Sequence, residues 1–131
     1  MPNASPPLRM RGLWLAGGAL LVAGLIALCL MPAANVPSIG MSDFVDHAAG
    51  YLALTLWFAG LVPRARWLLL ALVLTLLGLT LEWLQGALSL GRVADARDAA
   101  ANTLGIALGL TLALAGLGGW MRWVEARLLR E

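Results

Sequence analysis

WLLLALVLTLLGLTLEWLQGAL, residues 67–88, is an apolar run with a carboxylate and an amide, Glu82 and Gln85, set close to its far end. At about 1.5 Å per residue, such a helix crosses a hydrocarbon core of roughly 30 Å. Ahead of it, Pro63-Arg64-Ala65-Arg66 makes a tight basic turn, and residues 44–62 are apolar except for Asp46, His47 and a few small polar groups. Beyond it, residues 89–98 are the most polar stretch inside the chain, and residues 99–121 return to an apolar pattern. Residues 13–31 add a further uninterrupted apolar run, set off by Pro32, Pro37, Ser38, Gly40 and Ser42, a loop with little helical tendency. Spans at 13–31, 44–62, 67–88 and 99–121 predict an all-α integral membrane four-helix bundle, one domain over residues 1–131.

Composition agrees. With 61% hydrophobic and only 12% charged residues, the 131-residue chain has too few polar groups to cover a water-exposed surface. The net charge of +2 comes from arginine, because there is no lysine, and the arginines cluster at span ends rather than forming a nucleic-acid footprint. Cys29 is the single cysteine, so no intrachain disulfide and no cysteine-based zinc motif is expected. A secretory signal peptide is a competing reading of residues 13–31, since Arg9 and Arg11 precede the run and Pro32-Ala33-Ala34 follows it. The run, however, exceeds the ~7 to 15 residues of a signal h-region, and Leu28 before Cys29 argues against a lipoprotein.

Arginines near span ends set orientation. Arg9, Arg11, Arg64, Arg66, Arg122, Arg127 and Arg130 fall on one side of the four-span plan and only Arg92 and Arg97 on the other, which predicts both termini in the cytoplasm. Trp14, Trp67, Trp120 and Trp123 sit at the arginine side as interfacial indoles, and residues 122–131 read as a short amphipathic helix that anchors along the inner surface. Gly105 and Gly109 form a small-xxx-small pair on the fourth span, and Gly116 with Gly119 would extend that flat surface.

The residues that bear on function stand where apolar ones would be cheaper. Asp43, Asp46, His47, Tyr51, Glu82, Gln85, Arg92, Asp95, Asp98 and Asn102 all map to the outer half. His47 with Tyr51, Glu82 with Gln85, and Asp98 with Asn102 are three or four residues apart, so each pair projects from one helix face. At the helical rise, His47, Gln85 and Asn102 lie about 5 Å inside their span ends, and Tyr51 and Glu82 about 10 Å. An ionisable group at that depth faces the bundle interior, pairs, or lines a wet cavity, so Glu82 should point inward, with Arg92 the best placed counter-ion for Glu82, Asp95 or Asp98. Plainer readings stand beside these. Ser42 or Asp43 would cap the second helix and Asp95 or Asp98 the fourth; His47 and Tyr51 would be ordinary interfacial side chains, and Arg92 a loop clasp.

This spacing resembles the VanZ-like family of bacterial membrane proteins, named for an accessory factor in teicoplanin resistance. Asp43, His47 and Tyr51 carry the first part of the resemblance, and Glu82, Gln85, Arg92, Asp98, Asn102, Gly105 and Gly109 the second, so that it covers residues 43 to 109. Phe44 departs from it, standing where such proteins often carry lysine. The resemblance implies a small four-helix protein of the bacterial inner membrane, tied to the cell envelope and to glycopeptide susceptibility, with no established reaction.

Three functions fit these residues. The first binds an anionic, lipid-linked or peptide-bearing envelope precursor, with Arg92 as anion ligand beside Asp43, Tyr51, Gln85 and Asn102. The second is an acid/base enzyme using Glu82, His47 and Asp98 on a phosphoryl or acyl group. No HExxH, Gly-x-Ser-x-Gly or Gly-rich phosphate motif fixes a reaction class, and no cofactor is assigned. A metal held by His47, Glu82 and Asp98 is the lesser option. The third, a transporter or proton-coupled channel keyed on Glu82, is disfavoured because the cytoplasmic half of every span is apolar. A layer that serves packing alone accounts for the same residues.

Overall fold

A computed structural model describes residues 7–35, 42–88 and 95–129, and among them every regular element is helical. Five α-helices follow in order: α1 Arg11–Cys29, α2 Asp43–Leu61, α3 Trp67–Ala87, α4 Ala96–Leu114 and α5 Trp120–Leu128. Single 3-10 turns lie at Ala33–Asn35, Arg64–Arg66 and Leu117–Gly119.

Local chemistry sets the ends. The Ser42 hydroxyl accepts from the Val45 N–H at the start of α2, where Asp43 and Asp46 occupy the first turn and suit the positive end of the helix dipole. Pro63 biases Val62 to extended backbone, so α2 stops and α3 restarts after one tight turn. Asp95 caps α4 by accepting from the Arg97 N–H at 2.9 Å.

Helices α2 and α4 form the most extensive contact in the bundle, and two glycines allow it. A Cβ on Gly105 would strike the Ala48 carbonyl oxygen, and one on Gly109 would come within 2.6 Å of Thr55 Cβ. The small-xxx-small pair therefore faces α2. Tyr51, Leu54, Leu74 and Ile106 form the buried core, with Leu25 and Phe58 packed against it. Helix α1 lies on α2, its Gly17 and Gly18 receiving the rings of Trp57 and Phe58.

The outward surface is apolar. Leu68, Leu72, Leu76 and Leu79 of α3 are all more than half exposed, a patch that water would not tolerate on a monomer. Helices α1, α2 and residues 64–87 are each long and apolar enough to cross a membrane; α4 reaches that standard only jointly with residues 117–128, from which it is bent by 82°. The described residues therefore hold three to four candidate spans.

The fourth span differs from its expected course over residues 99–121. Helix α4 ends at Leu114, because Gly116 takes a φ of +119° and turns the chain across the bundle end. Gly116 and Gly119 thus break the surface they were expected to extend, while Gly118, next to them, lies under the Trp67 ring. Nothing lies within 4 Å of a Cβ built on Gly116, so Gly116→Ala isolates backbone strain. We expect it to cost about 1–2 kcal/mol, read as a lower unfolding midpoint in detergent micelles; an unchanged midpoint would mean that the corner is not held in this conformation.

Candidate functional site

The polar residues of α2, α3 and α4 gather at the end of the bundle away from α5. His47, on the first turns of α2, is buried, with Nδ1 3.0 Å from Asn102 Oδ1 and Nε2 3.7 Å from Asp98 Oδ2. The first contact is a hydrogen bond; the second, at 3.7 Å, is too long for one. Asp98 and Asn102, one turn apart on α4, thereby hold the imidazole at both nitrogens. Asp98 does not cap its helix, a role that Asp95 takes.

One turn further in, Tyr51 is fully buried, and its hydroxyl has no hydrogen-bond partner among the described residues. Its ring fits because residue 78 is glycine. A Cβ there would stand 3.1 Å from the Tyr51 hydroxyl and 3.0 Å from Asn102 Nδ2, so both polar groups converge on the bare backbone of α3. A buried, unpaired hydroxyl costs free energy that a water or a ligand oxygen would recover.

Glu82 is buried and turned inward, and its Oε1 accepts from the Asp95 N–H at 2.6 Å. The carboxylate thus ties the far end of α3 to the start of α4. Gln85 turns toward the first helix, donating to the Cys29 carbonyl at 2.7 Å, and so holds α1 against α3. Asp43 is exposed in the first turn of α2. Arg92, expected as counter-ion and anion ligand, lies outside the described residues. Among the described residues no group of three His, Cys, Asp or Glu side chains is placed to hold a metal ion.

The opposite end holds a second polar cluster that the residue pattern did not reveal. Glu125 of α5 is buried and accepts three hydrogen bonds, each 2.8 Å, from the Arg9 and Met10 backbone N–H groups and the Trp14 indole. Burial alone would raise its pKa. The bonds from Met10, Arg9 and Trp14, together with the Arg9 charge, outweigh burial and hold the carboxyl below its usual range. Beside it, Trp14, Trp57 and Trp120 pack edge to face in a triangle, with ring centroids 5.3 to 5.7 Å apart. Trp14 and Trp120, expected as interfacial indoles, are therefore part of the packing between α1, α2 and α5. Of the four indoles expected at that interface Trp123 is exposed, stacked against Arg127 at 4.0 Å.

No family model, no curated protein and no solved structure matches this chain. The VanZ-like resemblance rests on its residue spacing alone.

Proposed function

We propose that the chain is a VanZ-like integral protein of the bacterial inner membrane, with both termini cytoplasmic. Its outer polar layer binds a lipid-linked or peptide-bearing envelope precursor through an anionic group, and this binding lowers glycopeptide susceptibility. The observation that carries the reading is the convergence of His47, Asp98 and Asn102 with the unpaired Tyr51 hydroxyl in one layer of an otherwise apolar bundle. Intramembrane ionisable groups gathered in this way are by default a site. Arginine asymmetry supports the orientation: Arg9, Arg11, Arg64, Arg66, Arg122 and Arg127 share the α5 end, while Arg97 is the one described arginine at the other. Arg92 supplies the cation in this proposal.

An acid/base enzyme is the second reading, favoured by the contact between His47 and Asp98, a base beside an orienting carboxylate. Against it, the other imidazole nitrogen is taken by Asn102, and Glu82 Oε1 by the Asp95 N–H. Among the described residues the Tyr51 hydroxyl is a fully buried polar atom without a hydrogen-bond partner, a better ligand contact than proton carrier.

The test is a glycopeptide susceptibility assay on cells lacking the protein, complemented with wild type, Tyr51→Phe, Glu82→Gln or Arg92→Ala, with membrane abundance measured for each. Glu82→Gln retains an oxygen for the Asp95 N–H while removing the charge. We expect normally abundant variants to fail to restore tolerance. Full restoration by all three would reduce the polar layer to packing.

A further inference from the structure

Helix α5 is bent by 82° from α4 and crosses the end of the bundle. Met121 and Glu125, one turn apart, face inward and are buried; Arg122, Trp123, Ala126 and Arg127 form a continuous exposed stripe on the other side. The stripe is flanked by Arg9, Arg11, Arg64 and Arg66, also exposed. Among the described residues none of these arginines has a carboxylate within ion-pair reach. Glu125, the single described acid of α5, is spent on the N–H groups of residues 9, 10 and 14. The Glu125 charge acts on Arg9, yet among the described residues the exposed arginines of this surface outnumber its acids, and they surround an exposed indole with a guanidinium stacked on it.

We propose that this surface binds the headgroups of anionic phospholipids in the adjoining leaflet, and that the bound lipid holds α5 against the bundle. The proposal rests on the reading of α1 to α4 as membrane spans. Their crossing sets α5 near the plane of the bilayer, at the depth where indoles and arginines meet phosphate. Trp123 and Leu128, 57% and 60% exposed, supply apolar contact with the acyl boundary, and the guanidinium forks match phosphate oxygens. Lipid bound to the docked form of α5 stabilises that form by linkage.

Full-length protein in a neutral detergent is heated with phosphatidylglycerol, with phosphatidylcholine, or with free glycerol 3-phosphate. Phosphatidylglycerol should raise the unfolding midpoint by about 3 °C or more, the other two by much less. The Arg122→Gln, Arg127→Gln double variant, altered only at exposed side chains, should lose at least half of that rise, and Arg97→Gln at the opposite end should keep it. Equal shifts with both lipids, or a full rise in the double variant, overturn the proposal. An equal rise with glycerol 3-phosphate assigns the surface to soluble phosphates, and lipid-independent stability that grows with protein concentration assigns it to a second copy; either outcome also overturns it. Alkaline carbonate extraction of cell membranes tests the spans separately. A protein that resists extraction yet shows no lipid preference overturns the headgroup proposal alone.

Discussion

Gly105→Val should abolish the folded bundle, and Gly105→Ala should lower its stability by about 3 kcal/mol or more, at or beyond the upper end of overpacking costs in cores. The first atom that a Cβ at this position meets is the Ala48 carbonyl oxygen, and the next are the Leu52 backbone nitrogen and the Tyr51 Cβ, both at 3.0 Å. Backbone of a packed helix cannot rotate aside as a side chain can. Relief requires α2 and α4 to separate, and that separation would also pull His47 away from Asn102 and Asp98. Gly109→Ala should behave similarly, because its Cβ meets Thr55 Cβ at 2.6 Å. Gly24→Ala on α1 is the control. Nothing lies within 4 Å of its Cβ, so the helix should gain roughly 0.5–1 kcal/mol from reduced backbone freedom. Thermal or denaturant unfolding in micelles should therefore give opposite signs for two identical chemical changes. Equal midpoints for Gly105→Ala and Gly24→Ala would refute the close contact of α2 with α4.

That contact also shows what sequence pattern could and could not deliver. The helical class, the approximate place of the first three apolar runs and the Gly105–Gly109 spacing were legible, because apolar length and small-residue spacing are local properties of one helix. The approach of His47 to Asn102 was legible as a match in depth, since helical rise converts sequence distance into height; Asp98 carried no depth of its own in that pattern. Orientation about each helix axis was not legible. Gln85, three residues from Glu82, reaches the Cys29 carbonyl of α1 rather than the layer, and Asp95 rather than Asp98 caps α4. Gly78 carried no signal, because its role depends on which ring arrives from α2. The turn at Gly116 was hidden by an apolar pattern that continues through it, since a positive φ leaves no mark on hydropathy. Glu125 was the least legible of all: at sequence level it is one acid among arginines in an amphipathic tail, and its burial follows only once α5 has folded back onto the start of α1.

Glu125→Ala should release α5 from the bundle end, the largest loss of hydrogen bonds that a single side chain in the described structure can produce. Three donors lose their acceptor at once: two backbone N–H groups immediately before α1 and the Trp14 indole. Orphaned donors away from water are more costly than the bonds were stabilising. The carboxyl is held below its usual range, so the sign of its pH dependence is fixed. A group with a depressed folded pKa contributes its full stability above its unfolded value of about 4.3, and that stability is lost as pH falls through the lower folded value. Tryptophan emission reports the change, because Trp14, Trp57 and Trp120 form the triangle beside the carboxylate; a Trp83→Phe background removes the indole adjacent in sequence to Glu82. In that background, emission should stay constant from neutral pH down to the ordinary carboxylate range and shift to the red below it. Glu125→Ala should be red-shifted already at neutral pH, show no acid step, and be cut by trypsin after Arg122 and Arg127 under conditions that spare the parent. Glu125→Gln should fall between, since an amide oxygen still accepts but its –NH2 faces donors. An acid step that persists in Glu125→Ala would place the titrating group elsewhere and leave α5 held by Met121 against Gly60 and by the Trp120 indole on the Leu56 carbonyl.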